Sequence, residues 1–174
     1  MLPLLLALCL AGAPTPGAKA ATPPPEPPAD LNSYIRRPDQ VRIYRADVAV
    51  SESIKRSKKK EPRIQVGPFV LVGKGDVVPA EAAQTLAMTW VPPGHVQRGD
   101  RLRCIFNPDV ALRFEKDGSF VDVVVCFGCG ELAFFDARGE SLHDGRFDFR
   151  VLRRIASDAF PKEFGEKSST KGAE

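Results

Sequence analysis

Three cysteines carry most of the chemistry that this sequence suggests. Cys126 and Cys129 form a CxxC motif followed by Gly130, and Cys104 lies upstream. Thiolates at this spacing can bind zinc or exchange disulfides, and the same residues can also form an inert structural disulfide. The motif therefore indicates where chemistry would take place, but it does not select a reaction.

The secondary structure around the motif decides which cysteines can pair. Residues three apart in a regular strand have Cα atoms about 10 Å apart, which is too far for a disulfide. A turn at Gly128 would bring Cys126 and Cys129 together, and we expect Cys104 to approach them from a neighbouring strand. The simplest interpretation is one disulfide, between Cys104 and either Cys126 or Cys129, with the third thiol buried.

Two other interpretations of the cysteines stay open. Cys104, Cys126 and Cys129 could hold zinc, with His143, His95 or a carboxylate as the fourth ligand. A thiol-redox site is the other alternative, although the reactive cysteine of such sites usually begins a helix, whereas this motif lies between strands. The structural interpretation requires no cofactor, and the alternative requires zinc or a redox partner.

The rest of the sequence gives little support for an enzyme. It contains no nucleophile elbow, no triad-like context and no glycine-rich phosphate loop. Asp122, Glu131 and Asp136 are scattered carboxylates that we interpret as ordinary sheet residues. We therefore expect a non-enzymatic binding or structural domain.

The N-terminal residues predict export. Residues 1–11 are largely apolar, and Ala18-Lys19-Ala20 has the small-x-small pattern that precedes signal-peptide cleavage before Ala21. A helix across a bilayer needs about 20 apolar residues, so this block is too short to span one. Cleavage would remove Cys9, whose preceding Leu8 also disfavours lipid attachment. We expect a periplasmic or extracellular protein, with membrane anchoring as the less favoured alternative.

Length and composition predict one folded domain. The chain has 174 residues, 43% of them hydrophobic, and a formal net charge of only +3, which does not indicate a specific nucleic-acid binder. We predict a signal peptide over 1–20, a proline-rich linker over 21–33, a domain over 34–161 and a disordered tail over 162–174.

A basic run lies between the first two predicted strands. Its side chains could contact an anionic surface, but no aromatic residue is interleaved with them, and a solvated connector is the favoured interpretation. The residues are Lys55, Arg56, Lys58, Lys59 and Lys60.

Apolar periodicity predicts the strands. Val41–Val48 alternates apolar and polar residues, and Ile64–Val72 forms a second extended run that we expect to pair with it. Asp117-Gly118 predicts a hairpin turn that leads into the valine-rich strand Phe120–Phe127, and Leu132–Phe135 forms the next strand. These segments predict an antiparallel β-meander.

Two helical stripes complete the predicted fold. Ala80–Trp90 begins after Pro79 and has apolar residues at helical spacing, and Phe149–Ala159 has a second apolar stripe with Arg150, Arg153 and Arg154 outside it. The predicted fold class is α+β, an antiparallel β-meander sheet with two short amphipathic helices packed on one face.

The stretch from Cys104 to Phe135 resembles an uncharacterised family of bacterial exported proteins and putative lipoproteins. The resemblance implies an exported domain of unknown function. We separately expect its partner to be an envelope protein or a glycan. The sequence departs from the family pattern where Val110 replaces a histidine, which favours a structural role for the cysteines. The matching residues are Cys104, Phe106-Asn107-Pro108, Leu112-Arg113, Asp117-Gly118, Val121-Asp122 and Cys126-Phe127-Gly128-Cys129.

Overall fold

A computed structural model describes residues 30–48, 61–92, 105–142 and 145–165 of the chain. Six strands form one antiparallel sheet, and short helices accompany it. The strands are β1 (Gln40–Val48), β2 (Arg63–Val66), β3 (Phe69–Val77), β4 (Val110–Lys116), β5 (Ser119–Cys126) and β6 (Glu131–Asp136). The helices are α1 (Leu31–Arg36), α2 (Ala80–Met88), α3 (Phe149–Ala159) and α4 (Pro161–Phe164).

The strand order in the sheet is β2-β3-β1-β4-β5-β6. β4, β5 and β6 form a meander of consecutive strands, and β1 lies between β3 and β4. The turn between β4 and β5 has positive φ at both Asp117 (50°) and Gly118 (75°), as a two-residue hairpin requires. The α+β class and the meander-like sheet are therefore confirmed.

The predicted strand Ile64–Val72 is interrupted by a turn. Gly67 has a φ of +52°, and the chain reverses there, so the run becomes the hairpin of β2 and β3. β1 consequently pairs with β3, where Val48 lies opposite Phe69, and β2 becomes an edge strand. The expected pairing with β1 is therefore correct for the part of the second run that follows the turn, and wrong for the part that precedes it.

One face of the sheet, the helix face, packs against α1, α2 and α3. Alternate residues of the strands supply its apolar side chains, and the helices supply theirs from one stripe. This face holds the larger core and confirms the packing of helices on one side of the sheet. Its fully buried members include Ile43, Leu112, Phe114, Val123, Leu86 and Leu152.

The opposite face, the hairpin face, is covered because the sheet curls. The ring centroids of Phe69 and Phe135 lie 5.8 Å apart, although β3 and β6 are not neighbours in the sheet. The turn residue Gly67 lies against Phe135 so closely that a Cβ there would be 2.5 Å from the ring. The tip of the β2–β3 hairpin therefore packs on β6 and closes a second, smaller core that includes Tyr44 and Leu71.

Ordered structure extends beyond both predicted domain boundaries. α1 begins at Leu31, inside the predicted linker, and its Ile35 is completely buried. The side chain of Asp30 accepts from the backbone N–H of Asn32 at 2.9 Å and so caps the helix. α4 begins at Pro161, the last residue of the predicted domain, and extends into the predicted tail, where Phe164 packs on the domain with its ring 5.9 Å from that of Phe127.

Candidate functional site

The chain turns sharply after β5, and this turn brings two cysteines together. The sulfurs of Cys126 and Cys129 lie 2.08 Å apart, at disulfide distance, and their Cα atoms are 5.6 Å apart. The backbone N–H of Gly130 donates to the carbonyl of Cys126 at 3.0 Å, which closes the turn. The structure thus differs from the expected pairing of Cys104 with one of them, because the turn removes the separation that a straight strand would impose.

Phe127, at the top of this turn, is held from several sides. Its N–H donates to Oδ2 of Asp109 at 2.7 Å, and its carbonyl accepts from Nη2 of Arg153 at 3.1 Å. The guanidinium carbon of Arg153 lies 4.8 Å from the centroid of the Phe127 ring, which packs edge-on against Phe149 and Phe164. These contacts fix the disulfide-bonded turn to α3 and α4.

A cavity of about 650 Å³ lies between the turn and the two C-terminal helices. α3 directs Leu152, Ile155 and Ala156 into the core, so its polar side is free to line this cavity. The sequence already indicates that side, because three arginines lie outside the apolar stripe. The lining residues are Phe127, Arg150, Arg153, Arg154, Ser157, Glu163 and Phe164.

The three arginines differ in what they already contact. Arg150 donates to Asp148 at 2.7 Å, and its hydrogen bonds hold the pKa of that carboxyl below its usual value. Arg153 donates to the carbonyl of Phe127. Arg154 is exposed and makes no hydrogen bond or ion pair with any residue that the structure describes. Arg154 is therefore the cation in this cavity that has no protein partner among these residues.

The hairpin face contains a buried ion pair that sequence reasoning missed. Nε and Nη2 of Arg113 donate to the two carboxylate oxygens of Asp122, each at 2.8 Å. Asp122 is completely buried, and the guanidinium of Arg113 also lies over the ring of Phe120, at 3.7 Å from its centroid. The two-residue turn after Lys116 places Arg113 directly opposite Asp122, so the spacing along the sequence contained the signal.

The burial and hydrogen bonding of this ion pair indicate a structural role and not a catalytic one. Burial raises the pKa of Asp122, and the hydrogen bond from Arg113 acts in the opposite direction. Burial likewise raises the pKa of Tyr44, whose ring lies 5.6 Å from the guanidinium carbon of Arg113. Both carboxylate oxygens are bonded and the side chain is closed to solvent, so it offers no free atom to a substrate.

The remaining predicted site residues lie outside the described part of the chain. Cys104, His143 and the cleavage residues Ala20 and Ala21 are among them, as is the basic run. Across residues 30–48, 61–92, 105–142 and 145–165, no three His, Cys, Asp or Glu side chains lie close enough to hold a metal ion. A zinc site that uses Cys104 and His143 therefore stays a prediction. The basic residues outside the described ranges are Lys55, Arg56, Lys58, Lys59 and Lys60.

No family model matches the chain, and comparisons with curated proteins and with solved structures find no match. The resemblance to exported bacterial proteins therefore stays an expectation based on sequence motifs. Among the described residues, no helix has the length and apolar character needed to cross a membrane.

Proposed function

We propose that this chain is an exported protein of the cell envelope that acts as a non-enzymatic binding or structural domain. The protein would be located in the periplasm or the extracellular space. Its partner would be an envelope protein or a glycan. The observation that carries the proposal is the pair of sulfurs of Cys126 and Cys129 at disulfide distance. Disulfides of this kind persist in oxidising compartments and are rare in the cytosol.

The burial of ionisable groups supports binding over catalysis. Acid–base catalysis needs a titratable side chain within hydrogen-bond reach of a substrate. Asp122, the most buried carboxylate of the hairpin face, has both oxygens bonded to Arg113. The cavity beside the disulfide is lined mainly by arginines and aromatic rings, which bind ligands without needing to change their charge, and Glu163 is the single carboxylate in its lining.

Thiol counting by mass spectrometry tests the proposal. The full-length gene is expressed in a bacterium with a periplasm, and the protein from each cell fraction is denatured and alkylated before and after reduction. We expect periplasmic protein that begins at Ala21 and carries one alkyl group without reduction and three after it. Cytoplasmic protein that keeps residues 1–20, or three thiols alkylated without reduction, would overturn the proposal.

A thiol-redox function is the second candidate, and the CxxC spacing of the bonded cysteines favours it. Gly128, between them, is exposed, but Cys126 and Cys129 are buried, so a redox partner would reach the sulfurs only if the turn opened. Equilibration with glutathione buffers separates the two functions, because structural disulfides have potentials below about −300 mV and resist reduction by glutathione. A Cys126–Cys129 bond that opens readily in glutathione would favour redox chemistry.

Zinc is the other form of this alternative. It requires the thiolates of Cys126 and Cys129, which the bonded form does not supply, together with Cys104. Elemental analysis of the purified exported protein measures it directly. One zinc ion per chain, together with three thiols that become reactive only after chelation, would replace the disulfide interpretation.

A further inference from the structure

We propose that the cavity between the Cys126–Cys129 turn and α3 binds the carboxylate group of an acidic glycan, with Arg154 as the main anchor. This inference rests on the binding function proposed above and names the class of ligand. It is carried by the placement of three groups around one cavity of about 650 Å³: a guanidinium without a partner among the described residues, a half-buried aromatic ring and a single carboxylate.

Arg154 supplies the charge. A guanidinium presents its donors in a planar fork that matches the two oxygens of a carboxylate. Arg150 and Arg153, which line the same cavity, are already bonded to Asp148 and to the carbonyl of Phe127. They contribute a positive field and fix the shape of the wall, while Arg154 is free to form two new hydrogen bonds.

The other lining residues favour a sugar acid over a phosphate. Glu163 lies on the cavity wall, where it repels a doubly charged phosphate more strongly than a singly charged carboxylate. The same carboxylate can accept a hydrogen bond from a sugar hydroxyl. Phe164 is only partly buried and offers an apolar ring against which the C–H face of a sugar can pack.

The charge distribution also distinguishes a glycan from a membrane surface. The exposed basic residues of α3 and α4 are interspersed with Asp158 and Glu163. Binding to anionic lipids depends on clusters of about 4–8 Lys and Arg residues at the membrane surface, and interspersed carboxylates weaken the field of such a cluster. A single acidic sugar in a small cavity requires only one well-placed guanidinium.

Isothermal titration of the mature protein with polygalacturonate tests the site. Arg154→Gln removes the fork while the side chain stays long and polar, and Lys162→Gln removes an equal charge from a neighbouring helix outside the cavity. Arg154→Gln removes hydrogen bonds to a charged group, so we expect it to weaken binding by about tenfold or more. Lys162→Gln should bind within about twofold of the wild type, since exposed charges outside a contact have small effects.

Further measurements separate the sources of binding. Methyl-esterified polygalacturonate, which keeps the sugar but lacks the charge, should not bind, and Arg154→Lys should be intermediate because it keeps the charge without the fork. Inorganic phosphate or phosphatidylglycerol vesicles that bind through Arg154 more tightly than polygalacturonate would overturn the glycan assignment.

Two outcomes separate this inference from the proposed function. Equal loss of binding in Arg154→Gln and Lys162→Gln would overturn the cavity as the site, and an absence of polygalacturonate binding by the wild type would overturn the ligand. Neither result affects the export and the disulfide, which are measured by thiol counting. Unchanged circular dichroism and thermal midpoint of Arg154→Gln show that a loss of binding is not a loss of folding.

Discussion

The two faces of the sheet are both buried, but they are built from different chemistry. Leu112 points to the helix face, and its neighbour Arg113 points to the hairpin face. The helix face gains its stability mainly from apolar burial, whereas the hairpin face takes a charge pair out of water and offsets that cost through two hydrogen bonds. The same strand, β4, therefore contributes to a core of apolar side chains on one face and to a core with a buried ion pair on the other.

Removal of one member of the ion pair should have the largest effect. Asp122→Ala leaves the guanidinium of Arg113 buried without its partner, and loss of one member of a buried ion pair costs about 3–5 kcal/mol. Urea denaturation, monitored by circular dichroism, measures the change in the free energy of unfolding. A loss below about 1 kcal/mol, a value typical of exposed pairs, would show that solvent reaches this face.

The matched control replaces both members together. Arg113→Met combined with Asp122→Leu keeps the volume and removes both charges, and such replacements are often neutral or stabilising by about 1–4 kcal/mol. We expect the double variant to be much more stable than Asp122→Ala. A double variant as unstable as the single one would mean that the pair contributes net stability, and the contrast between the faces would then be wrong.

Leu112→Ala tests the helix face at the adjacent position. Leu112 is only 1% exposed, and truncation of a buried leucine costs about 2–5 kcal/mol through lost burial and the cavity that remains. We expect about 3 kcal/mol, measured in the same denaturation experiment. Because no partner change can compensate on this face, a second substitution at Phe114 should add to the loss and should not rescue it.

The Cys126–Cys129 disulfide should contribute less than either core. The bond closes a loop of only four residues, and the loop-entropy relation gives about 2 kcal/mol for that length. Cys126→Ala with Cys129→Ala, compared with the reduced wild type, separates loss of the cross-link from loss of the side chains. A loss of 4 kcal/mol or more would indicate that the bond also holds the turn against α3.

The smallest effect should come from the N-terminal cap of α3. Asp148 accepts from the N–H of Arg150 at 2.8 Å, and the Arg150 side chain lowers the pKa of Asp148. A carboxyl with a lowered pKa in the folded state stabilises the protein above its unfolded pKa of about 3.9 and loses that contribution as the pH falls through the folded pKa. Asp148→Asn keeps a capping oxygen without a titratable charge.

Thermal midpoints measured between pH 7 and pH 2 test this prediction. The wild type should be the more stable protein at pH 7, and the difference between the two proteins should shrink below about pH 3.9. A difference that stays constant across this range would show that the charge of Asp148 does not stabilise α3.

The β4–β5 hairpin and α3 could be predicted because their signals are local. Asp117-Gly118 specifies a turn by its backbone preferences, and the spacing of Leu152 and Ile155 specifies a helix face. The break at Gly67 also has a local signal, because a Gly67-Pro68 dipeptide is typical of a turn, but the apolar residues on both sides of it favour one continuous strand. The packing of this turn against Phe135 has no local signal, because the ring that excludes a Cβ at position 67 is distant in sequence.

The candidate site was only half predictable for the same reason. The CxxC motif predicts the turn, and the arginines outside the apolar stripe of α3 predict that this helix has a polar side. Their convergence depends on Phe127, which contacts Arg153 across 26 residues of sequence. The sequence likewise gives little local signal for α1, which directly follows the proline-rich segment. A contact distant in sequence holds this helix, because Nε1 of Trp90 donates to Oδ1 of Asn32 at 2.7 Å.

The curl of the sheet has a consequence for how the protein behaves at high concentration. Outer strands with free backbone groups invite strand addition from other molecules. Here β2 has only four residues, and the backbone of β6 is already bonded to the following segment at Asp136 and Phe134. The described part of the sheet therefore ends in one short strand and one strand that already has backbone partners, and we expect little strand addition from neighbouring molecules at these edges.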